Sequence, residues 1–228
     1  KDAQFIEMAM LAQKLGRKVI PVVEKVSELN LILEIAERVG VRPAIGMRVK
    51  LASRGAGRWQ SSGGYRSKFG LTVSEVLQCF ETLQEREMAD CFTLLHFHLG
   101  SQITDIRRVK SAINEAARVY VDLHKRGAGL TYFDVGGGLG VDYDGSRSTG
   151  SASVNYSIQE YANDIVYGLG EACRENEVPM PNIISESGRA LTAHHALLLV
   201  NVIDVETQKH EVPEPIDEGA HSVLHELA

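Results

Sequence analysis

An α/β fold with parallel strands, in the form of a partial (β/α)8 TIM barrel, is predicted by three observations. Helical and strand patterns alternate along the chain with short connections, the order of βα units around a parallel sheet. The strand candidates are continuous apolar runs rich in branched residues, as strands covered on both faces must be. The polar residues in those runs collect at their C-terminal ends, where barrels of this kind build active sites. At 228 residues, 44% of them hydrophobic, the chain has enough apolar material for such a core.

The first helix reads from Asp2 to Leu15, with Phe5, Ala9, Ala12 and Leu15 as its apolar stripe and Gly16 as its stop. Val19 to Val23 follows as a strand. Ser27 opens the second helix, Leu29, Leu33, Ala36 and Val39 face the core, Gly40 closes it, and the strand Ile45 to Leu51 comes next. A capping box, Thr72-x-x-Glu75, starts the third helix, which carries Val76, Phe80 and Leu83 and runs to Met88 before the strand Phe92 to Leu99. Ile106, Val109, Ile113, Ala116, Tyr120 and Leu123 space the fourth helix by threes and fours. Gly127 lies beyond its end, and the strand Leu130 to Val135 follows. The fifth helix begins at a second capping box, Ser157-x-x-Glu160, continues through Tyr161, Ile165, Leu169 and Ala172, and leads to the strand Ile183 to Glu186. Five strands are too few to close an eight-stranded barrel, so an arc with strands missing from one side is expected.

Two connections exceed plain turns. Ala52 to Phe69 holds Arg54, Arg58, Trp59, Arg66 and Lys68 among glycines, and Asp142 to Tyr156 is rich in glycine and serine. Loops of that length in a compact domain usually serve function. Leu197 to Val205 reads as one more strand, leaving the barrel pattern. The final segment, with Pro213, Pro215 and scattered charge, reads as a flexible linker or truncated insertion. The expected division is a partial barrel over 1–196, a strand entering a β-domain over 197–205, and that last segment over 206–228. Lys1 stands where a Met would, with helix already at Asp2, so an internal fragment of a longer protein is expected.

Net charge is −6, and six acidic residues after Val205 stand against Lys209 alone. The body is therefore near neutral, which argues against a nucleic-acid partner. No apolar run reaches the ~18 residues of a membrane span, so no membrane is expected. Cys79, Cys91 and Cys173 lie far apart, which fits neither a disulfide framework nor a CxxC metal site. A cytoplasmic, reducing location is the expectation.

Three strand ends carry the chemistry. Phe133-Asp134-Val135-Gly136-Gly137-Gly138-Leu139-Gly140 is a buried strand that stops at glycines. Such a run lets backbone N–H groups approach a phosphate, or is simply a tight turn. His96-Phe97-His98-Leu99-Gly100-Ser101 puts both histidines on one face by alternation. His96 suits a satisfied core position, and His98, one step from a Gly-Ser turn, suits a flat ring stacked on a planar ligand. Two histidines so spaced could bind a metal, but no nearby carboxylate or cysteine completes a site, and no metal ligand is assigned. At Ser185-Glu186-Ser187-Gly188-Arg189 two arrangements are open. Glu186 and Arg189 pair with one another, or Glu186 meets a protonated ring nitrogen while the Gly188 N–H and Arg189 hold a phosphate beside Gly136, Gly137 and Gly138. A planar ring, a ring nitrogen and a phosphate together describe pyridoxal 5'-phosphate, whose protonated ring accepts the electron pair released in decarboxylation or proton removal.

In that order and on successive strand ends, His98-Leu-Gly-Ser101, Asp134-Val-Gly-Gly-Gly138 and Glu186-Ser-Gly-Arg189 resemble the pyridoxal-phosphate decarboxylases of basic amino acids with the alanine-racemase fold. The runs Leu51 to Gly64, Lys68-Phe-Gly70, His96 to Gln102, Ser153-Val-Asn-Tyr156 and Glu186 to His195 resemble the biosynthetic arginine decarboxylases within that family, and the likeness extends from about Lys1 to Val205.

The resemblance implies that the chain covers about the last five βα strands of the barrel and leads into a C-terminal β-domain. It implies that His98 stacks on the cofactor ring with Ser101 helping to orient it, and that Gly136, Gly137, Gly138, Gly188 and Arg189 hold the phosphate. Glu186 binds the pyridine nitrogen, and Glu186 and His98 are the catalytic candidates. Arg48 faces the phenolic side of the cofactor, with a surface strand-end arginine as the alternative. Lys68 and the Trp59 loop are cleft-edge candidates.

By the same resemblance the cofactor-linking lysine, the β-domain and a cysteine-bearing segment from a partner subunit lie outside this chain, which alone would be inactive. The implied reaction converts the small-molecule substrate L-arginine to agmatine and CO2 in polyamine and spermidine biosynthesis. The implied assembly is a homodimer or homotetramer, and Mg2+ is kept open as a second cofactor. The alternatives are a decarboxylase of ornithine, diaminopimelate or carboxynorspermidine, or a non-catalytic regulator of the same fold. The Arg54 to Gly64 loop favours arginine, and the intact cofactor motifs favour an enzyme.

Overall fold

The computed structural model describes residues 1–52 and 67–207, and the chain divides into two compact units, Lys1–His194 and His195–Ala228. In the first unit β1 (Val22–Val23), β2 (Ile45–Arg48), β3 (Phe92–His96), β4 (Tyr132–Asp134) and β5 (Asn182–Ile184) form one sheet, each strand parallel to its neighbours. Their order across the sheet is their order in the chain. A doubly wound sheet would reverse direction at a switch point, whereas a strictly sequential parallel sheet is an arc of a (β/α) barrel.

The connecting helices are α1 (Ala3–Lys14), α2 (Val26–Val39), α3 (Val73–Glu85), α4 (Ile106–Lys125) and α5 (Ile158–Glu175), and a short α6 (Gly188–Thr192), absent from the sequence expectation, follows β5. Both capping boxes form. Thr72 and Ser157 accept hydrogen bonds from the Glu75 and Glu160 N–H groups, and the two glutamates reach back to the cap residues. Gly40 closes α2 in the left-handed conformation, with φ +69°.

Two helix details differ from the sequence expectation. The buried face of α1 is Ile6, Ala9 and Met10, while Phe5 and Leu15 are exposed, because α1 packs on α2 and that contact selects the stripe one residue further round. Helix α2 begins at Val26, capped by Lys25 without a side-chain bond. Ser27 therefore lies inside the helix, and Glu28 takes up the Glu24 N–H at 2.7 Å instead.

The strands are shorter than their apolar runs, yet ladder bonds continue past them. Val49 N–H donates to the His96 carbonyl at 2.8 Å, Phe97 N–H to Asp134 at 3.1 Å and Val135 N–H to Ile184 at 3.0 Å. The sheet thus hands its register on to the loops at its C-terminal edge.

The core lies between sheet and helices. Phe133 meets Phe97 and Tyr120 edge-on at 5.9 and 5.8 Å, and the buried Tyr120 hydroxyl donates to the Pro179 carbonyl at 2.9 Å. All three cysteines are buried free thiols, and desolvation pushes Cys79 and Cys91 up to about 11, which makes them poor nucleophiles.

In the second unit, Leu197 to Val205 forms no strand, contrary to expectation, and its aliphatic side chains are exposed, Ile203 to 98%. A strand requires a neighbouring edge for its N–H and C=O groups, and the described residues of this unit supply none. Residues 53–66, with Arg54, Arg58, Trp59 and Arg66, and residues 208–228 lie outside the described part.

Candidate active site

The register of the sheet sets the site. Arg48, His96 and Asp134 are Cα partners across β2, β3 and β4, and partners in a parallel sheet point to the same face. Two residues further on, His98, Gly136 and Glu186 form a second row, with Glu186 N–H donating to the Gly136 carbonyl at 2.9 Å.

In the first row Arg48 is half-buried rather than a surface residue. It pairs with Glu24 at 2.7 Å and lies 5.5 Å from the Phe69 ring centroid. His96 and Asp134 are 6% and 5% exposed. Asp134 Oδ1 accepts the Gly136 N–H at 2.8 Å, and its Oδ2 lies 3.1 Å from His96 Nδ1, a close polar contact outside hydrogen-bond geometry.

In the second row, the exposed His98 ring accepts the Gly137 N–H on Nδ1 at 3.3 Å. An acceptor Nδ1 leaves the proton on Nε2, so the ring is held as a neutral tautomer in a fixed plane. Desolvation of its enclosed side lowers its pKa from the ordinary histidine value, the charges of Arg48 and His96 lower it further, and Asp134 opposes them. Glu186 offers a carboxylate oxygen within 4.8 Å of both the His96 and Asp134 donor atoms. The sequence expectation that no carboxylate lies near the histidines is thus corrected. The carboxylates come from the two neighbouring strands, which sequence separation conceals.

The glycine run is required by the approach of one backbone to another. A Cβ at Gly136 would stand 2.5 Å from the Phe97 carbonyl, at Gly137 2.8 Å from that of Glu186, and at Gly138 2.0 Å from that of Gly100. Gly136 and Gly138 also have φ of +68° and +95°, a region that disfavours side chains. The Gly136 and Gly137 N–H groups are committed to Asp134 and His98. The Gly188 N–H bonds to the Glu186 carbonyl at 3.0 Å.

Arg189 donates to Ser101 Oγ at 2.9 Å. Among the described residues no ion pair joins Arg189 to Glu186, so the two are not each other's partners. Ser101 and Arg189, 88 residues apart, meet at the same lip.

Around this lip the loops after β3 and β4 are stapled together. Ile103 N–H donates to the Gly138 carbonyl at 2.9 Å, and Gln102 bonds both the carbonyl and the N–H of Val141, at 2.7 and 3.0 Å. The Tyr156 hydroxyl donates to the Ile103 carbonyl at 2.6 Å and accepts the Gly140 N–H at 3.1 Å. Buried Ser153 donates to Asp142 at 2.6 Å, so the Ser153 to Tyr156 run is a structural brace. The lip presents a guanidinium for an anion, a flat neutral imidazole and a carboxylate backed by a buried histidine. Asp134 and His96 belong to this constellation, although neither is a candidate site residue on sequence grounds.

The profile described as "Pyridoxal-dependent decarboxylase, pyridoxal binding domain" matches residues 1–193. The biosynthetic arginine decarboxylase of Rhodopirellula baltica is 64% identical over 208 residues, covering 91% of this chain and 31% of that protein. That of Escherichia coli K12 is 51% identical over 227 residues, covering 100% of this chain and 34% of that protein. The chain thus spans about a third of the length of these relatives. Among solved structures, the biosynthetic arginine decarboxylase of Campylobacter jejuni superposes with a TM-score of 0.70 at 38% identity, over 83% of this chain and 30% of that one. The diaminopimelate decarboxylase of Helicobacter pylori, complexed with L-lysine, superposes with a TM-score of 0.69 at 29% identity, over 84% of this chain and 44% of that one.

Proposed function

The chain belongs to the pyridoxal-dependent decarboxylases, and from that premise we propose that the full-length protein converts L-arginine to agmatine and CO2. The observation that carries the cofactor part is the convergence, on one lip of the sheet, of His98, Glu186 and the Arg189–Ser101 pair. These groups fit pyridoxal phosphate. Arg189, with no carboxylate partner among the described residues, suits the phosphate dianion, and Gly138, past the end of β4, belongs to the same proposal. Glu186 suits a protonated ring nitrogen. His98, neutral and fixed in plane, suits the flat face of the ring.

When bound, pyridoxal phosphate supplies an electron sink for the pair left behind as CO2 departs. The residues of this chain hold that sink ready. When it is bound, Glu186 would keep a proton on the ring nitrogen, His98 would stack on the ring and shield it from water, and Arg189 with Ser101 would anchor the phosphate so the reacting end stays in register. Arg48, held by Glu24, places a positive charge on β2 in the neighbouring row, beside His96.

Arginine as substrate rests on the 64% and 51% identities, because the barrel itself superposes almost equally well on a diaminopimelate decarboxylase. The full-length protein should therefore be assayed with arginine, ornithine, lysine and diaminopimelate, with and without pyridoxal phosphate. Cofactor-dependent release of CO2 from arginine is expected, and release from another of the four in preference to arginine would overturn the assignment. A homodimer or homotetramer, checked by sedimentation, and a β-domain beginning with the exposed aliphatic run Leu197 to Val205 belong to the same proposal.

A further inference from the structure

In the loop after β3, Gln102 holds a backbone conformation that its residue type disfavours. Its φ is +52°, in the left-handed region where a Cβ is crowded and where glycine or asparagine is at ease. The side chain offsets that strain. Its Nε2 donates to the Val141 carbonyl at 2.7 Å and its Oε1 accepts the Val141 N–H at 3.0 Å, across 39 residues of sequence. One planar amide thus meets both backbone groups of a single residue, as an antiparallel strand neighbour would. Among side chains of this reach, glutamate and methionine lack the donor and lysine lacks the acceptor, while asparagine is one methylene short.

The clamp falls where the loop is otherwise loosely tied. Among the described residues no backbone-to-backbone hydrogen bond is made by Gly100, Ser101 or Gln102, and the next one along the loop is Ile103 N–H to the Gly138 carbonyl. Ser101 adjoins the clamp, and its Oγ accepts from Arg189 at 2.9 Å. We propose that Gln102 is a positioning residue for the phosphate end of the cofactor, its amide fixing Ser101 and, through Ser101, the guanidinium of Arg189. This deepens the function proposed above and rests on it. Val141 is a firm anchor, because it is buried and lies on the segment that leaves the glycine run. The Ser101 loop is therefore held to the same stretch of backbone that carries Gly136, Gly137 and Gly138.

The test uses the full-length protein and reads its dissociation constant for pyridoxal phosphate by equilibrium dialysis, with melting of the cofactor-free form beside it. Gln102→Ala removes both bonds and leaves the strain, whereas Gln102→Gly removes the bonds and the strain together. Each should raise the dissociation constant by about threefold to fivefold, the value of one modest hydrogen bond, even though Gln102→Gly melts at the higher temperature of the two. Ser101→Ala should raise the constant by a similar factor, and combining it with Gln102→Ala should raise it no further, because both changes act through one contact. A double variant whose loss equals the product of the two single losses overturns the proposal. So does an unchanged constant in both Gln102 variants, or an affinity that recovers in Gln102→Gly in step with its melting temperature. If Gln102→Ala does not fold, Gln102→Gly takes its place beside Ser101→Ala. Failure of the parent to bind pyridoxal phosphate would instead overturn the function on which the proposal rests.

Discussion

Replacing Gly138 by alanine in the full-length protein should be among the most damaging single-methyl changes in the barrel. The new Cβ would stand 2.0 Å from the Gly100 carbonyl oxygen, which is backbone and has no rotamer to yield. Relief requires the loops after β3 and β4 to part, at an overpacking cost of about 1–3 kcal/mol. Parting stretches the 2.9 Å bond from Ile103 N–H to the Gly138 carbonyl, worth about 1 kcal/mol. The positive φ of +95° adds roughly 1–2 kcal/mol for any residue with a Cβ. The sum is about 4 kcal/mol, or roughly 8–16 °C in melting temperature for a domain of this size. Gly145 is the control, with φ +73° and nothing within 4 Å of its Cβ. Gly145→Ala meets only that backbone penalty, roughly 1–2 kcal/mol and about 2–8 °C. Melting of both variants by circular dichroism compares them directly. Equal shifts would refute the argument that backbone approach, and not turn geometry alone, imposes the glycine run.

Three further outcomes are expected of the full-length protein. Glu186→Ala should lower arginine decarboxylation by about 100-fold or more while cofactor content falls far less, in line with loss of one charge-stabilising group; activity equal to the parent would refute its role at the ring nitrogen. Arg189→Ala should raise the dissociation constant for pyridoxal phosphate by about tenfold or more, the value of a charged hydrogen bond, and Ser101→Ala less so, since Ser101 supports Arg189 through one bond; unchanged retention, measured by equilibrium dialysis, would count against the phosphate assignment. The lowered pKa of His98 has a signed consequence for stability. The unfolded chain takes up this proton near pH 6.5 and the folded chain only at lower pH, so the contribution is complete above about pH 6.5 and is lost as pH falls below it. His98→Gln should flatten the urea-midpoint profile below that pH and leave it parallel to the parent above, and an identical slope in parent and variant would refute the neutral assignment.

Much of the fold is legible along the chain because its signals are local. Thr72-x-x-Glu75 and Ser157-x-x-Glu160 announce helix starts through bonds made within three residues. The spacing of α4 from Val109 to Leu123 names the face it buries. Signals fail where a neighbour decides. The buried stripe of α1 depends on α2, and the exposed run Leu197 to Val205 has strand composition without a partner edge.

The proposed cofactor groups are local too. His98, Ser101, the glycine run, Glu186 and Arg189 each sit at the end of an apolar run, within short motifs. Their charge states and partners are not local. Whether Arg189 meets Glu186 three residues away or Ser101 eighty-eight residues away, which glycine N–H groups are already spent, and that His96 touches Asp134 all follow from register between strands. Backbone pattern and chemistry-bearing residues are properties of contiguous sequence, so they can be read there. Pairing across a parallel sheet joins residues separated by whole βα units, and only the packed barrel brings His96, Asp134 and Glu186 within one interaction distance.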